Sequence, residues 1–128
     1  MSRDALTLVT GAGGKTGRAV VAALAGRGQP VRAFVRTADH AADLTRLGAR
    51  EIAVGSMDDA RALAAAAHGC RAIYHICPNV SVAEERFAKH AIAAADAAGI
   101  DRFVYHSVLH PQIEAMPHHW QKMRVEEM

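Results

Sequence analysis

Apolar runs alternate with segments of helical spacing along most of this chain. Short runs rich in apolar residues predict five strands, at residues 5–10, 31–35, 51–54, 72–77 and 102–106. Apolar residues spaced three and four positions apart predict helices between the strands, at residues 15–26, 39–47, 58–68 and 82–98. Ser56 or Asp58 is the predicted N-cap of the third helix, and a further helix is predicted to start at His118.

The alternation of strands and helices predicts an α/β fold with a parallel sheet built from βαβ units. Right-handed crossovers would give a doubly wound sheet of the Rossmann type, with five strands in the order 3-2-1-4-5 and helices on both faces. In the longest helix, Phe87, Ala91, Ala94 and Ala98 are predicted to form one apolar face. The length of 128 residues suits one domain, and no linker or repeat divides it.

Composition narrows the class of protein. Hydrophobic residues make up 51% of the chain, which is enough for a core, and a net charge of +2 without a basic run argues against a nucleic-acid partner. Cys70 and Cys77 match no zinc or redox spacing, so we expect buried free thiols in a reducing cytosol. The first apolar run is too short for a signal peptide or a membrane span, so we expect a soluble, cytoplasmic protein without a membrane partner.

A glycine-rich segment, TGAGGKTG at residues 10–17, joins the first predicted strand to the first helix. Its spacing G-x-x-G-x-x-G lies in the strand–turn–helix context that a dinucleotide site requires. Gly11 would permit the tight turn, Gly14 would let the backbone approach a pyrophosphate, and Gly17 would let the helix pack on the strand. Free N–H groups and the helix dipole would then face the phosphates. The predicted cofactor-binding residues of this segment are Thr10, Gly11, Gly13, Gly14, Lys15, Thr16 and Gly17.

Two positively charged residues indicate which dinucleotide the site would prefer. Lys15 lies in the first turn of the predicted helix, where a cation is unfavourable against the dipole unless an anion is bound, although it could also point into solvent. Arg36 follows Gly17 by about twenty residues, where NAD-binding folds place an acid on the ribose 2′-OH. Arginine pairs with a phosphate through two hydrogen bonds, so Arg36 predicts NADP(H) rather than NAD(H). The alternative is a strand-end arginine that is simply solvated.

Several segments together resemble the NmrA-like group of atypical short-chain dehydrogenases/reductases. They are the loop TGAGGKTG, the strand ending FVR, VGSMDD at residues 54–59 and RFVYHS at residues 102–107. The resemblance extends over nearly the whole chain, and Arg36 with the stretch YHSVLHPQIEAMPHHWQK narrows it to the NmrA-like branch. Members of this group include NADPH-dependent quinone and azo-type reductases. They also include redox-sensing regulators that bind the cofactor without turning it over.

The resemblance implies further contacts with the cofactor. One segment matches the loop after the third strand, which brackets the adenine, although the family commonly has an acid at the position of Ser56. Another matches the segment after the fourth strand, beside the adenosine ribose. The residues of the two segments are Ser56, Met57, Asp58, Cys77, Pro78 and Asn79.

The resemblance also implies candidate catalytic residues. Ser107 ends the fifth strand near the expected nicotinamide, and either Ser107 or Val108 matches the catalytic serine. Classical members carry Tyr-x-x-x-Lys, and here His118 and Lys122 stand at the matching positions. A histidine can donate a proton near neutral pH, so His118 is the candidate general acid in place of the tyrosine.

The eight histidines do not indicate a metal site. His118 and His119 are adjacent, and adjacent side chains on a helix do not face each other. His106 and His110 are separated by a predicted loop, and no His-Glu-x-x-His spacing occurs. We therefore expect no metal ligands.

Family members are longer than this chain, so residues 1–128 are interpreted as a partial member, the cofactor-binding domain without the substrate region. The favoured function is that of an NADPH-dependent oxidoreductase when complete, acting on a small molecule that no residue here identifies. The alternatives are a non-catalytic NADP(H)-sensing regulator and a nucleotide-sugar epimerase-like fragment. An open edge on the fifth strand, together with the resemblance, predicts a homodimer.

Overall fold

The computed structural model describes residues 6–76, 84–100 and 102–106. Its strands are β1 (Leu6–Val9), β2 (Val31–Val35), β3 (Glu51–Val54), β4 (Cys70–His75) and β5 (Arg102–Tyr105). Its helices are α1 (Lys15–Gly26), α2 (Ala41–Arg46), α3 (Ala60–Ala67) and α4 (Glu84–Ala97). Within these residues every strand pair is parallel and the order is β3-β2-β1-β4-β5, which confirms the predicted doubly wound sheet.

Three of the predicted elements differ in detail from the structure. β4 begins two residues earlier than predicted, because Cys70 already pairs with Leu6 of β1. The predicted helix at 39–47 divides into a 3₁₀ turn, Ala38–His40, and α2. The predicted N-cap of α3 was wrong: the Asp59 carboxylate accepts hydrogen bonds from the backbone N–H groups of Arg61 and Ala62, at 3.0 and 3.2 Å. The predicted helix from residue 118 lies outside the described residues.

The sheet separates two apolar clusters, as a doubly wound fold requires. On one side, Leu8 and Phe34 pack with Leu63 of α3 and with alanines of α4. On the other side, Val9 and Val35 pack with α1 and α2. The buried alanines of α4 are Ala88, Ala91, Ala94 and Ala95. On the predicted apolar face of this helix Ala91 and Ala94 are buried, and Phe87 and Ala98 are half-buried.

Arg32 joins three strands and the end of α3. Its guanidinium donates to Glu51 on the neighbouring strand at 2.8 Å, and to the carbonyl oxygens of Ala66 and His68 at 2.6 and 2.7 Å. Cys70 lies beside it as a buried free thiol, as predicted. Burial raises the pKa of the Cys70 thiol, and the nearby Arg32 cation partly opposes this. Cys77 lies outside the described residues.

Two features that would indicate a membrane span or a metal centre are absent from the part of the chain that the structure describes. None of its helices is long and apolar enough to cross a membrane. No three of its histidine, cysteine, aspartate and glutamate side chains form a group that could hold a metal ion.

Candidate functional site

The end of β1 is tied to the end of β4 by the Thr10 side chain. Thr10 is fully buried, and its hydroxyl lies 2.9 Å from the Nδ1 atom of His75. The same hydroxyl accepts a hydrogen bond from the backbone N–H of Ile76 at 2.9 Å. Thr10 therefore fixes the position of the glycine-rich segment relative to the end of β4. The Thr10 side chain does not line the cavity described below.

The glycines of this segment fall into two kinds. Gly11 has a φ of +62°, and an added Cβ there would lie 2.5 Å from the carbonyl oxygen of Ile76. A Cβ on Gly17 would overlap the carbonyl oxygen of Gly11 and would lie 2.6 Å from the Cα of Ala12. At Gly14, by contrast, the nearest atom to an added Cβ is the Gly11 carbonyl oxygen, at 3.7 Å. The fold itself requires glycine at 11 and 17 but leaves open space at 14.

The first turn of α1 has the features of an anion-binding helix end. Gly14 is the N-cap residue, with φ −78° and ψ 174°, and it supplies no side-chain cap. No acidic residue lies in the first turn, while Lys15 and Thr16 are exposed there. The N–H groups of a first turn have no partner within the helix and carry the positive end of its dipole. This end can therefore bind a negatively charged group.

A cavity of about 470 Å³ opens over this helix end, within the usual range for small-molecule and cofactor sites. It lies at the carboxyl ends of β1, β2, β3 and β4, which is where doubly wound sheets bind ligands. We call it the cofactor cavity. Its lining residues are Gly11, Gly13, Gly14, Lys15, Thr16, Gly17, Phe34, Val35, Arg36, Thr37, His40, Gly55, Ser56, Met57, Ile76 and Phe87.

Two cationic side chains line the cofactor cavity. Arg36 directly follows β2 and is exposed, and Lys15 faces the same cavity from α1. Within residues 6–76, 84–100 and 102–106, neither side chain forms an ion pair or a hydrogen bond. None of the lining residues is an aspartate or glutamate, so the cavity favours an anion.

The opposite wall of the cavity is apolar. Met57 and Phe87 line it, both half-buried. The Met57 carbonyl oxygen lies 2.9 Å from the Nδ1 atom of His90, which joins the loop after β3 to α4. Arg86 strengthens this junction, because it pairs with Asp58 at 2.6 Å and lies over the Phe87 ring. Such a wall suits the flat face of an aromatic ring.

Comparisons with known proteins agree with this geometry. The sequence profile of a family described as NAD(P)H-binding matches residues 11–127. The chain belongs to this NAD(P)H-binding family. Its fold is that of the NAD(P)-dependent short-chain reductases and epimerases, so the predicted family is confirmed at that level. The family match and the NADPH-bound structural neighbour support a nicotinamide dinucleotide as the cofactor of this chain.

Among solved structures, the NADPH complex of the NADPH-dependent quinone oxidoreductase from Escherichia coli is similar, with a TM-score of 0.81 and 25% identity. A short-chain dehydrogenase/reductase superfamily protein from Agrobacterium tumefaciens, with bound NAD, has a TM-score of 0.71 and 30% identity. Each alignment covers 95% of this NAD(P)H-binding chain. The chain spans 44% and 43% of the lengths of these two proteins.

One curated relative is sterol demethylase protein B of Methylococcus capsulatus. It is 43% identical over 76 residues, which cover 59% of this chain and 23% of the relative. The NAD(P)H-binding chain therefore spans less than half of the length of this relative and of both similar structures. Activities of the whole relatives do not transfer directly to it.

The structure brings most of the predicted cofactor residues together. Gly11, Gly13, Gly14, Lys15, Thr16, Gly17, Arg36, Ser56 and Met57 all line the cavity. Asp58 and Thr10 do not: the Asp58 carboxylate pairs with Arg86, and the Thr10 hydroxyl is buried between the ends of β1 and β4. The remaining predicted residues lie outside the described residues, and they are Cys77, Pro78, Asn79, Ser107, His118 and Lys122.

Several residues that line the cofactor cavity were not predicted from the sequence. They are Phe34, Val35, Thr37, His40, Gly55, Ile76 and Phe87. Most of them end a strand or follow one within a few residues, and carboxyl ends of parallel strands meet at one edge of the sheet. That rule could have identified Thr37, Gly55 and Ile76. Phe87 had no such signal, since it lies on a helix.

Proposed function

We propose that this chain binds NADP(H) in preference to NAD(H), as the cofactor-binding half of an NADPH-dependent oxidoreductase of the NmrA-like type. The observation that carries the proposal is Arg36 at the end of β2, exposed in the cofactor cavity and without an acidic neighbour among the lining residues. NAD-binding sites use an acid at this place to bond the ribose 2′-OH. A guanidinium there would instead pair with a 2′-phosphate.

The cofactor preference is inferred from this chain's own residues and not from its structural relatives. One similar structure contains NADPH and another contains NAD, so similarity alone favours neither. Lys15 supports NADP(H), which carries one more phosphate than NAD(H), because Lys15 adds a second cation to the same cavity. Thr16 and the first-turn N–H groups of α1 would hold the pyrophosphate, and Met57 with Phe87 would cover the adenine.

Titration of the variant Arg36→Asp with NADPH and NADH tests the preference. A charge-assisted contact with a phosphate contributes about 1.5–3 kcal/mol, so NADPH affinity should fall about tenfold or more. NADH affinity should hold or rise, because the new acid can accept a bond from the 2′-OH. Arg61→Asp is the matched control, since Arg61 is exposed but does not line the cavity. An unchanged NADPH-to-NADH ratio in Arg36→Asp contradicts the proposal.

We further propose that the complete protein reduces quinone or azo-type acceptors, to which NADPH supplies a hydride. Similarity to the quinone oxidoreductase, at 25% identity over 95% of the chain, supports this class. In this proposal His118 is the general acid, and Lys122 and Ser107 are the further catalytic residues. The assay is NADPH oxidation with and without a quinone. Acceptor-dependent oxidation that falls in His118→Phe supports the reductase, and tight binding without such oxidation supports the NADP(H)-sensing alternative.

Self-association is proposed through β5. Within the described residues this strand hydrogen-bonds only to β4, and Val104 is 44% exposed on it. Open strand edges favour pairing with another chain, and a lysine on such an edge opposes it. Sedimentation across a concentration series should therefore give a dimer that Val104→Lys converts to a monomer. A monomer mass for the unmodified chain at every concentration contradicts this proposal.

A cytoplasmic location is the last part of the proposal. It is supported by the buried free thiol of Cys70, which suits a reducing compartment. Fractionation of cells that produce the protein at its natural level tests it, and recovery with the membrane or secreted fraction contradicts it.

A further inference from the structure

His40 lies where the glycine-rich segment meets the end of β2. It ends the 3₁₀ turn Ala38–His40, is exposed, and lines the cofactor cavity together with Arg36. Its ring packs directly over Gly13, since Cδ2 would lie 2.8 Å and Nε2 3.6 Å from a Cβ added there. The absence of a side chain at Gly13 therefore makes room for this imidazole.

The imidazole has anion-attracting neighbours. Lys15 on α1 and Arg36 after β2 line the same cavity. On its own segment, Asp39 precedes it and Asp43 of α2 follows, but Asp43 pairs with Arg46 and neither acid lines the cavity. In the part of the chain that the structure describes, the His40 ring forms no hydrogen bond. Its nitrogens are therefore available to a ligand in the cavity.

We propose that His40, when protonated, pairs with the 2′-phosphate of NADP(H) beside Arg36, and that it makes selectivity for this cofactor depend on pH. The inference rests on the proposed NADP(H) preference and adds a second specificity-determining residue to it. Histidine gains its charge between about pH 5 and pH 8, whereas arginine stays charged throughout. The contribution of His40 should therefore be present near pH 6 and lost near pH 8, while that of Arg36 persists.

The ring lies between the β2 end and the glycine-rich segment, so contact with the 2′-phosphate must be distinguished from contact with the pyrophosphate. Adenosine 2′,5′-bisphosphate and adenosine 5′-monophosphate make that distinction. They differ only in the 2′-phosphate, and neither contains a pyrophosphate. A residue that binds the 2′-phosphate affects the first ligand alone.

Calorimetric titration of both ligands at pH 6 and pH 8 tests the proposal, with His40→Gln compared with the unmodified chain. At pH 6, His40→Gln should bind the bisphosphate about three- to fivefold more weakly, as expected for an exposed ion pair. Binding of the monophosphate should be unchanged, and at pH 8 the loss should shrink to less than about twofold. The 2′-phosphate also titrates in this range, so the two proteins are always compared at the same pH.

A control variant sharpens the result. His68→Gln is the matched control, because His68 is an exposed histidine that does not line the cavity, and it should change neither affinity.

The possible outcomes distinguish a failure of the His40 proposal from a failure of the proposed NADP(H) preference. An equal loss for both ligands, or no loss at pH 6, overturns the role of His40 while the Arg36-dependent preference stands. A loss of equal size at pH 6 and pH 8 also overturns it, because an uncharged contact would explain that result. If the unmodified chain binds the bisphosphate no better than the monophosphate, the NADP(H) preference itself fails, and this inference fails with it.

Discussion

Two glycines of the same loop should respond in opposite ways to substitution. We expect Gly17→Ala to damage the fold and Gly14→Val to damage cofactor binding while leaving the fold stable. The reason is that backbone atoms surround the Cβ position at Gly17, whereas the nearest atom to the Cβ position at Gly14 is 3.7 Å away. The φ of −78° at Gly14 is also one that any residue adopts.

The magnitudes follow from these distances. At Gly17 the contact with the Cα of Ala12 would have to open from 2.6 Å to about 3.4 Å, which separates α1 from β1. Overpacking of this kind costs about 1–3 kcal/mol, and backbone neighbours favour the upper part of that range. An alanine in a helix regains about 1 kcal/mol relative to glycine. The net loss of about 2 kcal/mol should lower the Tm by about 6–10 °C.

At Gly14 the loss appears in binding. Blocking two charge-assisted N–H contacts with the pyrophosphate, at about 1.5 kcal/mol each, raises the Kd for NADPH more than about a hundredfold. Thermal melts with and without NADPH measure both effects. At a concentration of one hundred times the Kd, NADPH should stabilise the unmodified chain by about 2.7 kcal/mol. For Gly14→Val the same concentration should give about 0.4 kcal/mol or less.

Either of two results would refute the reasoning. If Gly14→Val keeps the full stabilisation by NADPH, the pyrophosphate does not approach Gly14, and the loop is not the phosphate site. If Gly14→Val melts as early as Gly17→Ala without ligand, the open space at Gly14 is not the reason for its glycine. Gly26→Ala is a suitable control, because it lies in α1 with no atom within 4 Å of an added Cβ.

Three further predictions concern stability. Arg32→Met should lower the free energy of unfolding by about 2–3 kcal/mol in urea titrations, because it removes the hydrogen bonds that the guanidinium donates to Glu51 and to the carbonyl oxygens of Ala66 and His68. Arg46→Gln, in an exposed pair, should cost less than about 0.5 kcal/mol. Asp59→Ala should cost about 1 kcal/mol through loss of the α3 cap, and an unchanged urea midpoint would contradict that cap. Because burial raises the pKa of Cys70 above 9.0, the folded state retains the thiol proton, so stability present below pH 9 should decline as the pH rises further. Cys70→Ala should decline less over the same pH range, and parallel curves for the two proteins would argue against this linkage.

The sequence alone predicted the sheet order and most of the loop, because both depend on local patterns. Strand and helix periods are visible in short windows, and the loop is defined by glycine spacing within eight residues. Phe87 shows where this reasoning ends. Its spacing in α4 predicted a place on an apolar face, but a helical period does not distinguish a face packed on the sheet from one lining a cavity, and Phe87 lines the cavity.

Asp58 and Asp59 illustrate a second limit. Both were close to the predicted start of the third helix, and both are acids of the kind that cap helices. The choice between them depends on backbone direction at one residue and on Arg86, which lies 28 positions away and holds Asp58 in an ion pair. Such a partner becomes visible only when α3 and α4 are packed together. The sequence therefore predicted a cap in this segment but not which residue provides it.

Thr10 connects the local motif to the tertiary structure. It was predicted to bind the cofactor as the first residue of the glycine-rich segment, and in the structure its buried hydroxyl joins β1 to Ile76 at the end of β4. That bond brings the Ile76 carbonyl oxygen to within 2.5 Å of the space that a side chain at position 11 would need. Glycine at 11 is thus a consequence of the β1–β4 junction, and Gly17 follows from the position of Gly11. Only Gly13 and Gly14 are then left without a backbone neighbour that excludes a side chain, and these two residues lie where the phosphates and the His40 ring would meet.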